Sequence, residues 1–199
     1  MRILVAAFAA TLSLLCWQPA SADTHAGARE AFADTAPENR SERLDALFET
    51  LATADNVQAA RAAERGIMTL WLESGSDTVD LLMDWTLKAM DEEDYPLALD
   101  FLDRIITLEP GYVEGWNKRA TIHFMNDDYA KAIADIEQVL AIEPRHFGAL
   151  AGLGTILSEL GDNKLALNAY RQALALDPVM KDIQKAIDDL EASSAGRDI

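Results

Sequence analysis

Apolar residues recur along most of this chain at three- and four-residue intervals, the spacing that places side chains on one face of an α-helix. Leu44, Leu47, Phe48 and Leu51 form one such stripe, and Asn39 with Glu42 precedes it in the arrangement of a capping box. After a break at Ala54-Asp55-Asn56, a second stripe runs through Val57, Ala60, Ala63, Ile67, Leu70 and Trp71 until Ser74-Gly75-Ser76 stops it. The pattern predicts two antiparallel helices within 39–75. From Asp77 onward no segment alternates polar and apolar residues as a half-buried strand would, and the prolines stand only near expected helix boundaries. Pro96 fits the first turn of a helix, where its missing N–H costs nothing.

The strongest signal is repetition. Leu108-Glu109-Pro110, Ile142-Glu143-Pro144 and Leu176-Asp177-Pro178 share one pattern, with successive prolines 34 residues apart. In the same frame stand Ala98, Ala132 and Ala166, each followed four residues later by Leu102, Ile136 or Tyr170. A small residue meeting a large one at this spacing lets two helices approach closely.

With these residues the sequence resembles the tetratricopeptide-repeat family, whose pattern sets a large residue, Leu-Gly and an aromatic on a first helix, then alanine, an aromatic and proline on a second. Residues 147–180 match it best, with Leu150, Leu153-Gly154, Leu157, Ala166, Tyr170 and Pro178, and with Gly161 in the turn between the helices. Residues 113–146 keep Trp116, Tyr129, Ala132, Ile136 and Pro144 but carry Arg119-Ala120 and His123 where the family has leucine, glycine and an aromatic. Residues 78–112 keep Leu82, Tyr95, Ala98, Leu102 and Pro110, with Trp85-Thr86 in place of Leu-Gly. The resemblance implies an all-α fold, an α-solenoid of antiparallel helix pairs forming a superhelix. Residues 39–75 read as a divergent N-terminal pair without the proline. Residues 181–192 read as a C-terminal capping helix with Ile183, Ala186, Ile187 and Leu190 on its buried stripe, and 193–199 as a flexible tail.

The amino terminus reads as an address. Met1-Arg2 supplies a positive start, Ile3 to Cys16 an apolar run, and Ala20-Ser21-Ala22 the small side chains of a cleavage site. A signal peptide over 1–22, cleaved near Ala22, predicts export to the periplasm, with no stable membrane insertion afterwards because the run is shorter than a span of about 20 apolar residues. Residues 23–38 then form a disordered leader.

Cleavage removes Arg2 from 17 basic residues and leaves all 34 acidic ones, a formal charge of −18. Such a charge repels phosphate backbones, which argues against nucleic-acid partners. Cleavage also removes Cys16, the one cysteine, and with it disulfides, thiol chemistry and cysteine-based metal sites.

Candidate chemistry is thin. Asp91-Glu92-Glu93-Asp94, Met125 to Asp128 and Glu159 to Asp162 fall in one frame and read as solvated turns within helix pairs. Asp91-Glu92-Glu93-Asp94 lacks the ordered ligands and turning glycine of an EF-hand calcium loop. His123 and His146 have no partner at metal-binding spacing and read as structural, while Trp71, Trp85 and Trp116 read as inter-helix packing. With no phosphate loop, nucleophile elbow or paired histidines, the reading is of a protein that is not an enzyme and holds no metal and no cofactor.

Function then falls to the concave face that the family's first helices line. The resemblance places a peptide-binding groove at Asp80, Met83, Leu87, Met90, Glu114, Asn117, Thr121, Phe124, Gly148, Ala151, Thr155 and Ser158. The family's clamp for a C-terminal carboxylate is not expected, since no cation stands among these positions. Met83, Leu87, Met90 and Phe124 suggest an adaptable apolar strip, and Asp80 and Glu114 suggest attraction for a basic side chain. The expected partner is a protein or peptide with basic or apolar segments. The expected role is a periplasmic scaffold or adaptor, with a chaperone-like assembly factor as the alternative.

Overall fold

A computed structural model of the chain describes residues 39–195. The signal peptide read at 1–22, the leader at 23–38 and the end of the tail lie outside the described residues. Nine α-helices and no strand are found among those described. Helices α1 (Arg40–Thr53) and α2 (Val57–Leu72) form one antiparallel hairpin. Three further pairs follow: α3 (Asp77–Asp91) with α4 (Tyr95–Leu108), α5 (Val113–Met125) with α6 (Tyr129–Ile142), and α7 (Phe147–Glu159) with α8 (Asn163–Leu176). They stack in order, and α9 (Lys181–Ala195) closes the stack against α8, running past the expected helix end at 192.

The repeating acids of the turns have a definite job. Asp94, Asp128 and Asp162 are the N-caps of α4, α6 and α8, each side chain accepting the backbone N–H three residues on, at 3.2, 3.4 and 3.2 Å. Each satisfies a donor that the first helical turn leaves open. The residue before each cap takes a left-handed conformation, with φ of 57° at Glu93, 57° at Asp127 and 82° at Gly161. Only the third repeat puts a glycine there, so the first two bear the steric cost of a side chain in that region.

Small residues set the helix spacing. Ala98, Ala132 and Ala166 are fully buried, and Leu102, Ile136 and Tyr170 pack close by in the same cores. Gly154 is the tightest approach: a Cβ there would lie 2.5 Å from the ring of Tyr170, which is itself buried.

The amino-terminal hairpin departs from the stacking rule. The core of the first repeat, built on Val79, Leu82, Met83, Ala98, Leu102 and Ile105, contains no residue of α1 or α2. Instead α2 leans on α5 and α1 on α8. Leu44, Phe48, Leu51, Ile67, Leu70 and Trp71 join one core with Val113 and Phe147, the first residues of α5 and α7, and with Ile136 and Val139 of α6. Polar contacts hold the same junction. The Tyr112 hydroxyl donates to the Leu72 carbonyl at 2.7 Å, and Arg145 pairs with Asp45 at 2.7 Å while lying over the Phe48 ring; within the hairpin Arg40 donates to the Leu70 carbonyl at 2.7 Å. The divergent pair read at 39–75 is thus a strap across the linkers of the later repeats. Its aromatic residues Phe48 and Trp71 both meet the Phe147 ring, with centroids 6.5 and 5.1 Å away, and burial of a large apolar side chain of this kind contributes about 1.5–3 kcal/mol.

Candidate functional site

Between α5 and α7 the stack opens into a cavity of about 190 Å³. Its walls are Asn117, Thr121 and Phe124 from α5 and Gly148, Gly152 and Thr155 from α7, and its floor is Ala120, Ile136, Ala149 and Ile156. The two glycines leave the wall low. A Cβ at Gly152 would meet only the tip of Ile136 at 3.8 Å, and one at Gly148 only the His146 ring at 3.4 Å. The cavity therefore offers three polar side chains above an apolar base, one aromatic edge, and room for a backbone to approach α7.

The positions read from the sequence divide into two groups. Asn117, Thr121, Phe124, Gly148 and Thr155 converge on this cavity. Met83 is 3 % exposed within the first repeat's core, and the part-buried Leu87 and Met90 pack against that same core, so the supposed methionine strip is largely interior. Ala151 is buried beside Leu150 and Ala173, facing α8 and α9. Asp80 accepts the Ser74 N–H at 2.9 Å, and Ser158 is half-buried outside the cavity wall. Gly152 escaped the sequence reading. The run Gly148, Ala151, Gly152, Gly154 in α7 was its signal, since so many small residues in one helix mark close approach or an open wall.

Glu114, expected to meet a partner's cation, already has its partners. It is 5 % exposed. His146 bonds it through Nε2 at 3.1 Å, Asn117 donates to it at 3.0 Å and the Lys118 ammonium stands 3.5 Å away. Burial pushes its carboxyl up, but the His146 hydrogen bond and the charge of Lys118 outweigh that and hold it below its ordinary value. The Nδ1 of His146 accepts the Ala149 N–H at 3.0 Å, which makes His146 the N-cap of α7 and sets Nε2 as the proton-bearing nitrogen. His146 is a buried structural residue, and Glu114 is neutralised within the wall.

Arg119 and His123 occupy places where an apolar pair would ordinarily pack. Arg119 grips Asp135 with two hydrogen bonds of 2.7 and 2.8 Å and reaches Asp103 of α4 at 2.7 Å, so its charge is matched on both neighbouring helices. His123 stands 3.8 Å from the same Asp135, and its burial lowers the imidazole below its ordinary value against the pull of that carboxylate. Of the tryptophans, Trp71 is buried, Trp116 donates to the Pro110 carbonyl at 2.9 Å, and Trp85 is 47 % exposed because no described helix stacks on its outer face. Among the described residues no three His, Cys, Asp or Glu side chains cluster as a metal site would require.

Comparison with known proteins places these observations. Residues 113–178 match the family model described as tetratricopeptide repeat. A tetratricopeptide-repeat-containing protein of Rhizobium etli is 44 % identical over 155 residues, which is 78 % of this chain and 76 % of the relative. Among solved structures, the TPR2B domain of yeast Sti1 in complex with pHsp70 superposes with a TM-score of 0.54 at 18 % identity, over 61 % of this chain and 99 % of that one. The first such domain of Spaghetti (RPAP3), bound to the HSP90 peptide SRMEEVD, gives a TM-score of 0.56 at 19 % identity, over 59 % and 93 %.

Proposed function

The chain belongs to the tetratricopeptide-repeat family, and from that membership we propose that it is a non-enzymatic interaction module that receives an extended polypeptide segment in the groove between α5 and α7. The observation that carries this reading is the composition of the groove: the Thr121 and Thr155 hydroxyls donate to the Asn117 and Ala151 carbonyls and so present acceptor oxygens, the Asn117 amide keeps its oxygen and one N–H beyond its bond to Glu114, and Phe124 and the apolar floor accommodate a side chain. Gly148 and Gly152 let main chain come close. Of the related folds, one is solved with an HSP90 peptide and another in complex with pHsp70, which supports a polypeptide ligand here.

The expected ligand differs in charge from the acidic HSP90 peptide SRMEEVD. The cations nearest the groove, Lys118 and Arg119, are engaged with Glu114 and with Asp135 and Asp103, within a chain of net charge −17. A neutral or basic segment with an apolar side chain suits this setting better than an acidic one. The signal-like residues 1–22 support a working place in the periplasm, where the protein acts as a scaffold or adaptor. The alternative of an assembly factor draws on a methionine-bearing groove, and the burial of Met83 weakens it.

The test is Gly152→Gln. Its Cβ has space, and leaving glycine favours the helix by about 0.5–1 kcal/mol, so the variant folds while its side chain fills the groove. A photo-crosslinker at Thr121 captures a polypeptide in cells, and Gly152→Gln cuts that capture at least about tenfold, the loss expected when about 1.4 kcal/mol of contact is removed. Equal capture by both proteins, or none by the parent, sinks the proposal.

A further inference from the structure

The first repeat presents an apolar face that its own sequence frame marks as a stacking surface. In the second repeat the equivalent positions seat α5 on the helix before it: a Cβ at Gly115 would stand 2.9 Å from Ile105, and Arg119 bonds Asp103. Counting back 34 residues, the same positions are Leu81 and Trp85. They are 48 % and 47 % exposed, since α2, the helix that precedes them in the chain, is spent on α5. Trp85 lies against Phe101 of α4 with ring centroids 5.7 Å apart, and Leu97, one turn earlier than Phe101, is 42 % exposed. An apolar patch thus spans both helices of the pair. At the opposite end of the stack α9 buries Ile187 and turns Lys181, Asp182, Gln184, Lys185, Asp188 and Asp189 to solvent, as a terminal cap should.

The charges around the patch select its occupant. Along α3 the exposed stripe reads Asp77, Leu81, Asp84, Trp85, Lys88: an acid at the start, the one base at the end, and between them two large apolar residues with a further acid, Asp84, at their side. Lys88 otherwise meets only Glu92, at 4.0 Å and in solvent. Two copies of this helix laid antiparallel bring Lys88 of each against Asp77 of the other, with Leu81 and Trp85 interleaved around a two-fold axis. A parallel arrangement would set like charges opposite each other. The outer face of α9 offers charge of both signs and no apolar complement, so head-to-tail stacking does not satisfy the patch.

We infer that the protein forms a two-fold dimer through α3, the second copy supplying the cover that α1 and α2 do not. This surface is separate from the groove on α5 and α7, so failure of peptide capture and failure of dimerisation are distinguishable.

Sedimentation velocity on the purified protein tests it. The parent sediments as a dimer. Lys88→Asp and Asp77→Lys each place like charges together twice, raise the dissociation constant at least about tenfold and shift the protein to monomer, with helical content by circular dichroism unchanged. Mixing the two variants restores the dimer, because only the heterodimer then pairs opposite charges at both contacts. Trp85→Glu gives a folded monomer that mixing does not rescue. A monomeric parent, a dimer indifferent to both charge reversals, or a mixture that stays monomeric overturns the inference.

Discussion

Trp71 lies flat on His146, ring centroids 4.1 Å apart and planes within 10° of parallel, and this contact ties the amino-terminal hairpin to the linker that enters the third repeat. The same imidazole caps α7 and bonds Glu114 in α5. One residue therefore joins the strap, the linker and the wall near the groove.

Removal of that tie has a measurable cost. Trp71 is 2 % exposed, and Trp71→Ala lowers unfolding free energy in urea by about 3–5 kcal/mol. Limited proteolysis then cuts first in the turns at 54–56 and 73–76, ahead of any cut in α5 to α8. A loss below about 1 kcal/mol, within the range of ordinary surface substitutions, would show that the hairpin does not depend on this site.

Arg119 and Asp135 make a second prediction. Arg119→Ala leaves Asp135, 4 % exposed, without its main counter-charge, a change that costs about 3–5 kcal/mol at the fully buried limit. The cost is lower here because 21 % of the Arg119 side chain faces solvent. Replacing both, Arg119→Leu with Asp135→Ala, restores the apolar packing of the other repeats and returns stability to the parent value or above it. A denaturation cycle over the two single variants and the double variant reads the coupling, and strictly additive losses would contradict it.

The third concerns pH. Glu114 is held below its ordinary value of 4.5 in the folded protein, so its ionised form binds the fold and not the unfolded chain. Its contribution is complete above the unfolded value and is lost as pH falls through the folded one. In Glu114→Gln that contribution is missing. The stability gap between parent and variant is widest near neutral pH and narrows on acidification below about pH 4.5, followed by urea denaturation at each pH. A gap that stays constant across this range would mean that the carboxylate charge plays no part.

The stacked pairs were legible from residues alone. A 34-residue recurrence of proline, of Ala98, Ala132 and Ala166, and of a turn acid leaves few architectures, because each unit can bury its apolar face only against a neighbour of the same kind. The capping box at Asn39 was equally plain, and it forms. The groove was legible in part. The resemblance to the family set Asn117, Thr121, Phe124, Gly148 and Thr155 on the inner side of the first helices, and these five line the cavity between α5 and α7.

Other features depended on parts of the chain far apart in sequence. The hairpin's stripe announced that α1 and α2 bury a face but not which neighbour receives it, and Phe147 and His146 prevailed over Leu81 and Trp85 through aromatic contacts that exist only once the repeats are stacked. Burial of Glu114 likewise needed His146, which is 32 residues away. Local pattern determined the helices, their caps and their pairing, because those rest on spacing within a few turns. Tertiary structure decided where the strap lies, which acids are spent within the molecule and which apolar face is left uncovered, because those are outcomes of competition among surfaces that meet only in the folded chain.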